Sequence, residues 1–137
     1  MMADYHLTTI FCDDIRQEIN GKFTLVGCYN SQLLVSDFPF TLPRLAIHFI
    51  LECEDESPAP AGDITLQVFQ DEREIFRVDA DIPVADAAAT AGLPKRFNGG
   101  FNFGPISLEG DSIIRFELTL PSKEILRATP LHIAKRP

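Results

Sequence analysis

Neighbouring carboxylates are the residues in this chain whose spacing comes closest to a chemistry. They occur as Asp13-Asp14, as Asp71-Glu72 with Glu74, and as Asp79 with Asp81. Hard carboxylate oxygens converging from several loops of a β domain can hold calcium. None of these segments has the glycine-containing spacing of a calcium loop, so each reads as a solvated turn and no metal is expected.

The other reactive side chains are scattered. His6, His48 and His132 stand in three separate segments, without the i, i+2 or i, i+4 spacing by which one element offers two imidazoles to zinc. Cys12, Cys28 and Cys53 each sit inside an apolar run and form no C-x-x-C pair, which predicts buried, reduced thiols. Burial raises a thiol pKa, and no basic residue stands beside any of the three in sequence, so a cysteine nucleophile is not expected. Glycine-rich phosphate loops and the G-x-S-x-G elbow are absent. With no tryptophan and only two tyrosines, the chain lacks the flat aromatic platforms of sugar-binding domains. These observations predict no catalytic residue and no cofactor, and hence a non-enzyme.

Phenylalanine is the abundant aromatic residue, at 11 positions. Phe38-Pro39-Phe40 and Phe101-Asn102-Phe103 lie beside prolines and glycines, where the chain should leave regular strands. Phe38, Phe40, Phe101 and Phe103 are therefore the candidate interface, a patch for a second copy or another protein, with burial in the core as the alternative.

The elements that would position these groups repeat with period two. Tyr5, Leu7, Thr9 and Phe11 share one side of the first segment, which predicts a strand. Asn20-Gly21 between two such segments is a hairpin signal, because both residues tolerate positive φ. Leu45, Ile47, Phe49 and Leu51 line one face of a further strand, with His48 on the other. A proline-rich loop is expected over 57–62. Ile64, Leu66 and Val68 then lead through the polar tetrad Asp71 to Glu74 into a second hairpin ending at Val78. An alanine-rich stretch from Val84 to Leu93 reads as a crossover loop. Phe97 to Phe103 suggests a strand with a bulge at Gly99-Gly100, where two backbones approach closely, and irregular pairing. Ile114, Phe116, Leu118 and Leu120 mark another strand, followed by short strands at Glu124–Arg127 and Leu131–Ala134 as a meander.

About eight strands with no convincing long helix predict an all-β fold, a two-sheet antiparallel β-sandwich, immunoglobulin-like or C2-like, spanning residues 1–137 as one domain. At 137 residues the chain can bury about two-thirds of its unfolded surface, enough for a core without staples. The formal net charge of −8 opposes attraction to phosphate backbones and acidic lipid, so neither nucleic acid nor membrane is an expected partner. No basic segment followed by an apolar stretch opens the chain and no apolar run reaches about 18 residues, which predicts a cytoplasmic location.

The opening Phe11-Cys12-Asp13-Asp14-Ile15-Arg16-Gln17-Glu18, with Asn20-Gly21-Lys22 and Leu25-Val26-Gly27-Cys28-Tyr29, resembles that of a family of small uncharacterised bacterial proteins, a domain of unknown function. The likeness covers about the first 50 residues, through Leu42-Pro43-Arg44-Leu45, and beyond them only the alternation. It implies a bacterial cytoplasmic β domain and carries over no catalytic residue. Asp13, Asp14 and Arg16 in this opening are candidate ligand or structural residues, shaping the bend before the hairpin, with Arg16 and Glu18 pairing on its exposed face. No motif assigns a function. The expectation is a non-enzymatic protein-interaction or assembly module that engages itself as a homo-oligomer or another protein. The alternative is a small-molecule or calcium-binding β-sandwich domain.

Overall fold

A computed structural model describes residues 5–53, 62–82 and 95–137 of the chain. The described residues are nearly all strand: β1 (Tyr5–Gln17), β2 (Phe23–Cys28), β3 (Gln32–Val35), β4 (Phe40–Leu42), β5 (Leu45–Cys53), β6 (Gly62–Gln70), β7 (Arg73–Ile82), β8 (Lys95–Phe103), β9 (Ile106–Leu108), β10 (Ser112–Thr119), β11 (Ile125–Arg127) and β12 (Leu131–Lys135). A single 3-10 turn, Ile19–Gly21, joins β1 to β2. Three strands of three or four residues, β3, β4 and β9, have no counterpart in the sequence reading, being too short for an alternating pattern to declare itself, while β11 falls within the short strand expected at Glu124–Arg127. The loop expected over 57–62 lies outside the described residues except for Gly62, which opens β6; the stretch 84–93 lies outside them entirely.

The strands form a four-stranded sheet in the order β2-β1-β5-β8, a second sheet in the order β3-β12-β10-β6-β7 with β11 also on β10, and the small ribbon β4-β9. Leu45, Ile47, Phe49 and Leu51 of β5 are all buried, as are Ile64 and Val68 of β6 and Ile114, Phe116 and Leu118 of β10. Burying a side chain of this size contributes about 1.5–3 kcal/mol. Phe49 of the first sheet meets Phe116 of the second at 5.5 Å between ring centroids, and Phe101 meets the same ring at 5.8 Å. The core lies between these two faces.

Three expectations about pairing require correction. The fold is not purely antiparallel, because β12 runs parallel to β3, with His132 opposite Gln32 and Lys135 opposite Val35. A parallel neighbour comes from a distant part of the chain, and no local signal announces it. The chain does not finish as a meander: β11 pairs with Glu117–Thr119 of β10 and β12 with Ser112–Ile114, while β6 occupies the other edge of β10. Pro130, which has no N–H to donate, separates the two short strands.

The third correction concerns Gly99 and Gly100. β8 pairs with β5 in unbroken register from Leu45 opposite Phe103 to Cys53 opposite Lys95. The glycines serve space instead of a bulge: a Cβ on Gly99 would lie 2.9 Å from the Phe49 ring, and one on Gly100 would lie 2.8 Å from Ile15 Cδ1. The irregularity sits between Val68 and Phe69 of the β6–β7 hairpin. The turn of that hairpin is Asp71-Glu72 alone, with β7 resuming at Arg73, because Asp71 takes the positive φ of 54° that the reversal needs.

Candidate functional site

Among the described residues, several chemically capable side chains gather where β1 turns into β2. Asn20 and Gly21 adopt φ of 63° and 71°, the left-handed geometry for which their residue types were singled out. The resulting register centres on Asn20 and sets Gln17 opposite Phe23, Asp14 opposite Val26 and Cys12 opposite Cys28. Between the last two pairs Gly27 stands at φ 66°. A Cβ there would lie 2.8 Å from Asp13 Cγ, so the Asp13 carboxylate fills the place of the missing side chain. In that position its Oδ1 accepts a hydrogen bond from the Tyr29 hydroxyl. Burial first, and then the bond to Asp13 and its charge, push the Tyr29 hydroxyl pKa well above its ordinary value.

Asp14 is turned the other way. Its Oδ1 accepts from the Ile15 N–H at 2.9 Å and faces Arg44 Nη2 at 3.7 Å. Arg44 Nε also donates to the Asp13 carbonyl oxygen at 3.3 Å, so one guanidinium reaches both aspartates. Arg16 is exposed and stands opposite Thr24. The expected Arg16–Glu18 pair does not form among the described residues: Glu18 has left the strand, and its carboxylate accepts from the Thr24 hydroxyl at 3.1 Å. Asp13 and Asp14 lie at this corner with Arg44 as their shared partner, and Arg16 is not brought to them.

The two cysteines flank this corner. Cys12 is wholly buried while Cys28, opposite it, is exposed, and both are free thiols. The Cys12 thiol donates weakly to the Asp14 carbonyl oxygen at 3.5 Å. Burial, followed by the charge of Cys28, pushes its pKa up to about 11. Cys28 thus departs from the expectation of buried thiols, because β2 is an outer strand.

Away from the corner, three of the other carboxylates singled out in the sequence have partners of their own. Asp71 Oδ1 accepts from the Ile113 N–H at 3.0 Å, Asp79 accepts from the Thr65 hydroxyl at 3.0 Å, and Glu74 accepts from the Gln67 amide at 2.6 Å. Among the described residues no group of three or more histidine, cysteine, aspartate or glutamate side chains could hold a metal ion. Glu117 is a buried carboxylate missed by the sequence reading, held by Arg115 at 3.3 Å and Arg127 at 3.2 Å. His48 is also buried, with its ring 5.0 Å from that of Phe23 and its Nδ1 without a hydrogen-bond partner. Burial lowers its pKa against the opposing bond to Asn98.

The four interface candidates all pack on the core. Phe103 is 8% exposed, and Phe38, Phe40 and Phe101 are half-buried against it. Phe101 stacks on Phe76 at 5.0 Å with ring planes 8° apart, and Phe103 lies 5.4 Å from the same ring. The exposed large hydrophobic residues are others, including Ile19 at 81% and Val26 at 42%.

Sequence reasoning passed over Cys12 with Cys28, Tyr29 and Arg44. The first pair carried a signal: each cysteine lies eight residues from Asn20, so a turn centred on Asn20 sets them face to face, whereas a two-residue turn at Asn20-Gly21 would have set Cys12 opposite Tyr29. Arg44 carried none, since its approach depends on the pairing of β1 with β5.

Residues 7–134 match the sequence profile of a family of unknown function, DUF6941, and the chain belongs to that family. The match extends far beyond the opening 50 residues on which the resemblance rested. No curated protein and no solved structure matches the chain. Among the described residues no helix is long and apolar enough to cross a membrane.

Proposed function

We propose that this member of the DUF6941 family is a non-enzymatic protein-interaction or assembly module of a bacterial cytoplasmic protein, built as a two-layer β-sandwich. The ring contacts of Phe49 and Phe101 with Phe116 support the layered reading. The observation that carries the functional reading is the contrast among the outer strands.

β7 is an outer strand bearing Arg73, Glu74, Arg77, Asp79 and Asp81, and β8, at the edge of the other sheet, carries Arg96. Charges of this kind are how β proteins keep their edges from pairing with other chains. β2, also outermost, reads Phe-Thr-Leu-Val-Gly-Cys with no charge. Gly27 interrupts its far end, which leaves Phe23–Val26 as the regular stretch, with Thr24 and Val26 exposed and Ile19 protruding from the adjoining turn. Among the described residues no strand covers its outer edge. β3 is uncharged as well, but it is four residues long and ends near the ion pair of Asp37 with Lys135 at 3.3 Å. An added strand from a second copy or another protein would complete the backbone hydrogen bonds of β2.

Sedimentation velocity over a wide concentration range, with a pull-down in parallel, tests this reading using Val26→Lys. The expected result is association or capture by the wild-type chain and its loss in the variant at unchanged circular dichroism. A monomer that captures nothing, or a variant that associates as before, overturns it. The groove of about 610 Å³ between β7 and the β8–β9 corner, edged by Arg73, Glu74 and Asn102, favours a small-molecule site as the second reading, for which ligand-dependent thermal stabilisation is the corresponding test.

A further inference from the structure

Cys12 and Cys28 are direct partners across an antiparallel pair. The neighbouring Tyr29 N–H donates to the Phe11 carbonyl oxygen at 2.8 Å. Phe11 and Tyr29 therefore mark a hydrogen-bonded position of the ladder, and Cys12 and Cys28 the adjacent non-hydrogen-bonded one, where the two chains come closest, with Cα atoms about 4.5 Å apart. Disulfides accept Cα separations of roughly 4.4–6.8 Å. Side chains of such a pair project from the same face of the sheet. Cys28 belongs to an outer strand held on one side only among the described residues, and Gly27 beside it, at φ 66°, breaks the regular strand there. The small approach of the two Cβ atoms that a disulfide requires can thus be taken up by the end of β2.

We propose that Cys12 and Cys28 are a dithiol that closes reversibly to a disulfide across the β1–β2 corner, with low-molecular-weight disulfides such as glutathione disulfide as the oxidant. The inference does not depend on whether the edge of β2 binds a partner. Exposure assigns the order of steps. Cys28, the accessible sulfur, gives up its proton to solvent and attacks the small disulfide; a sulfur–sulfur bond forms to Cys28 and one glutathione leaves as thiolate. Cys12 then loses its proton and attacks the Cys28 sulfur, forming the internal bond and releasing the second glutathione. The two protein thiols are oxidised by two electrons, and the small disulfide is reduced to two thiols. A dithiol reductant reverses both steps.

The groups facing the Cys12 thiol are Cys28 on β2, Tyr29 just beyond it, and Asp13 and Asp14 on its own strand; its partner on β5 is the uncharged Ala46. Burial and the two aspartates hold the thiol protonated near neutrality, while Cys28 as a mixed disulfide carries no charge, so closure is the slow step and its rate follows the thiolate fraction of Cys12, rising roughly tenfold per pH unit. Such a reversible bond suits the cytoplasm, where lasting structural disulfides are rare and transient redox-sensing ones occur.

The test treats the full chain with glutathione disulfide under native conditions over a pH series, followed by alkylation and peptide mapping by mass spectrometry. The expected product joins Cys12 to Cys28, leaves Cys53 alkylated, and accumulates roughly tenfold faster for each pH unit; Cys12→Ser instead stops at a glutathione adduct on Cys28. A wild-type chain that also stops at the adduct, that cross-links two chains through Cys28, or that leaves Cys28 unmodified overturns the proposal without need of the variant.

Discussion

The Tyr29 hydroxyl donates to the Asp13 carboxylate across the corner between β1 and β2, and the space in which they meet exists because residue 27 has no side chain. Gly27→Ala should therefore destabilise in two separable ways. The left-handed backbone costs about 1–2 kcal/mol for an alanine, and the new methyl group displaces Asp13 from Tyr29. Tyr29→Phe removes only the hydrogen bond, at about 1 kcal/mol. Urea denaturation of the single variants and of Gly27→Ala with Asp13→Ala checks this: the double variant should recover the steric part and keep the backbone part. Strictly additive losses would show that Gly27 and Asp13 do not share the space.

His48 should make stability depend on pH below neutrality. Its folded pKa lies below the ordinary 6.5, chiefly through burial. The neutral imidazole is thus favoured by folding, and its contribution is fully present above about 6.5 and lost as the pH falls through the folded pKa. The thermal midpoint of the wild-type chain should fall between about pH 7 and pH 5. His48→Gln, which keeps a polar group beside Asn98 but does not titrate, should flatten that part of the profile. An unchanged slope in the variant would assign the acid sensitivity elsewhere.

Phe101 and Phe103 should behave as core residues. Phe103→Ala removes most of a buried ring and should cost about 3–5 kcal/mol, and Phe101→Asp with Phe103→Asp should abolish cooperative unfolding. Differential scanning calorimetry distinguishes this from loss of an interface. A double variant that melts normally and only fails to associate would restore both residues to the surface.

The periodic strands were legible because one physical rule governs them: a face that is buried shows it every second residue. β5, β6 and β10 follow that rule, and the two hairpins followed from turn chemistry at Asn20-Gly21 and from the polar tetrad Asp71 to Glu74. The short strands β4 and β9 were illegible, because three residues cannot show a period. Gly99-Gly100 was read in part: glycine in a strand signals both a bulge and a close approach, and here only the approach applies, made by the Phe49 ring and Ile15 and not by a second backbone alone. At the corner, Asp13 and Asp14 were found by type, but their partners Tyr29 and Arg44 were decided by register and by the neighbouring strand. The Phe101-Phe103 pair shows the limit of composition, since the same aromatic cluster reads as core or as interface until Phe76 and Phe116 are placed against it.

The parallel seam between β12 and β3 has a temporal consequence. Gln32–Val35 leaves the ribosome early, yet its described hydrogen-bonded neighbour is Leu131–Lys135, and these two segments enclose all of β4 to β11. Contacts separated by so much chain are slow to form, since a large loop must close before they stabilise anything. During synthesis β3 must therefore wait for this partner until β4 to β11 have emerged. Its shortness, four residues with Leu33 and Val35 destined for the core, limits the surface that this waiting strand offers to other nascent chains.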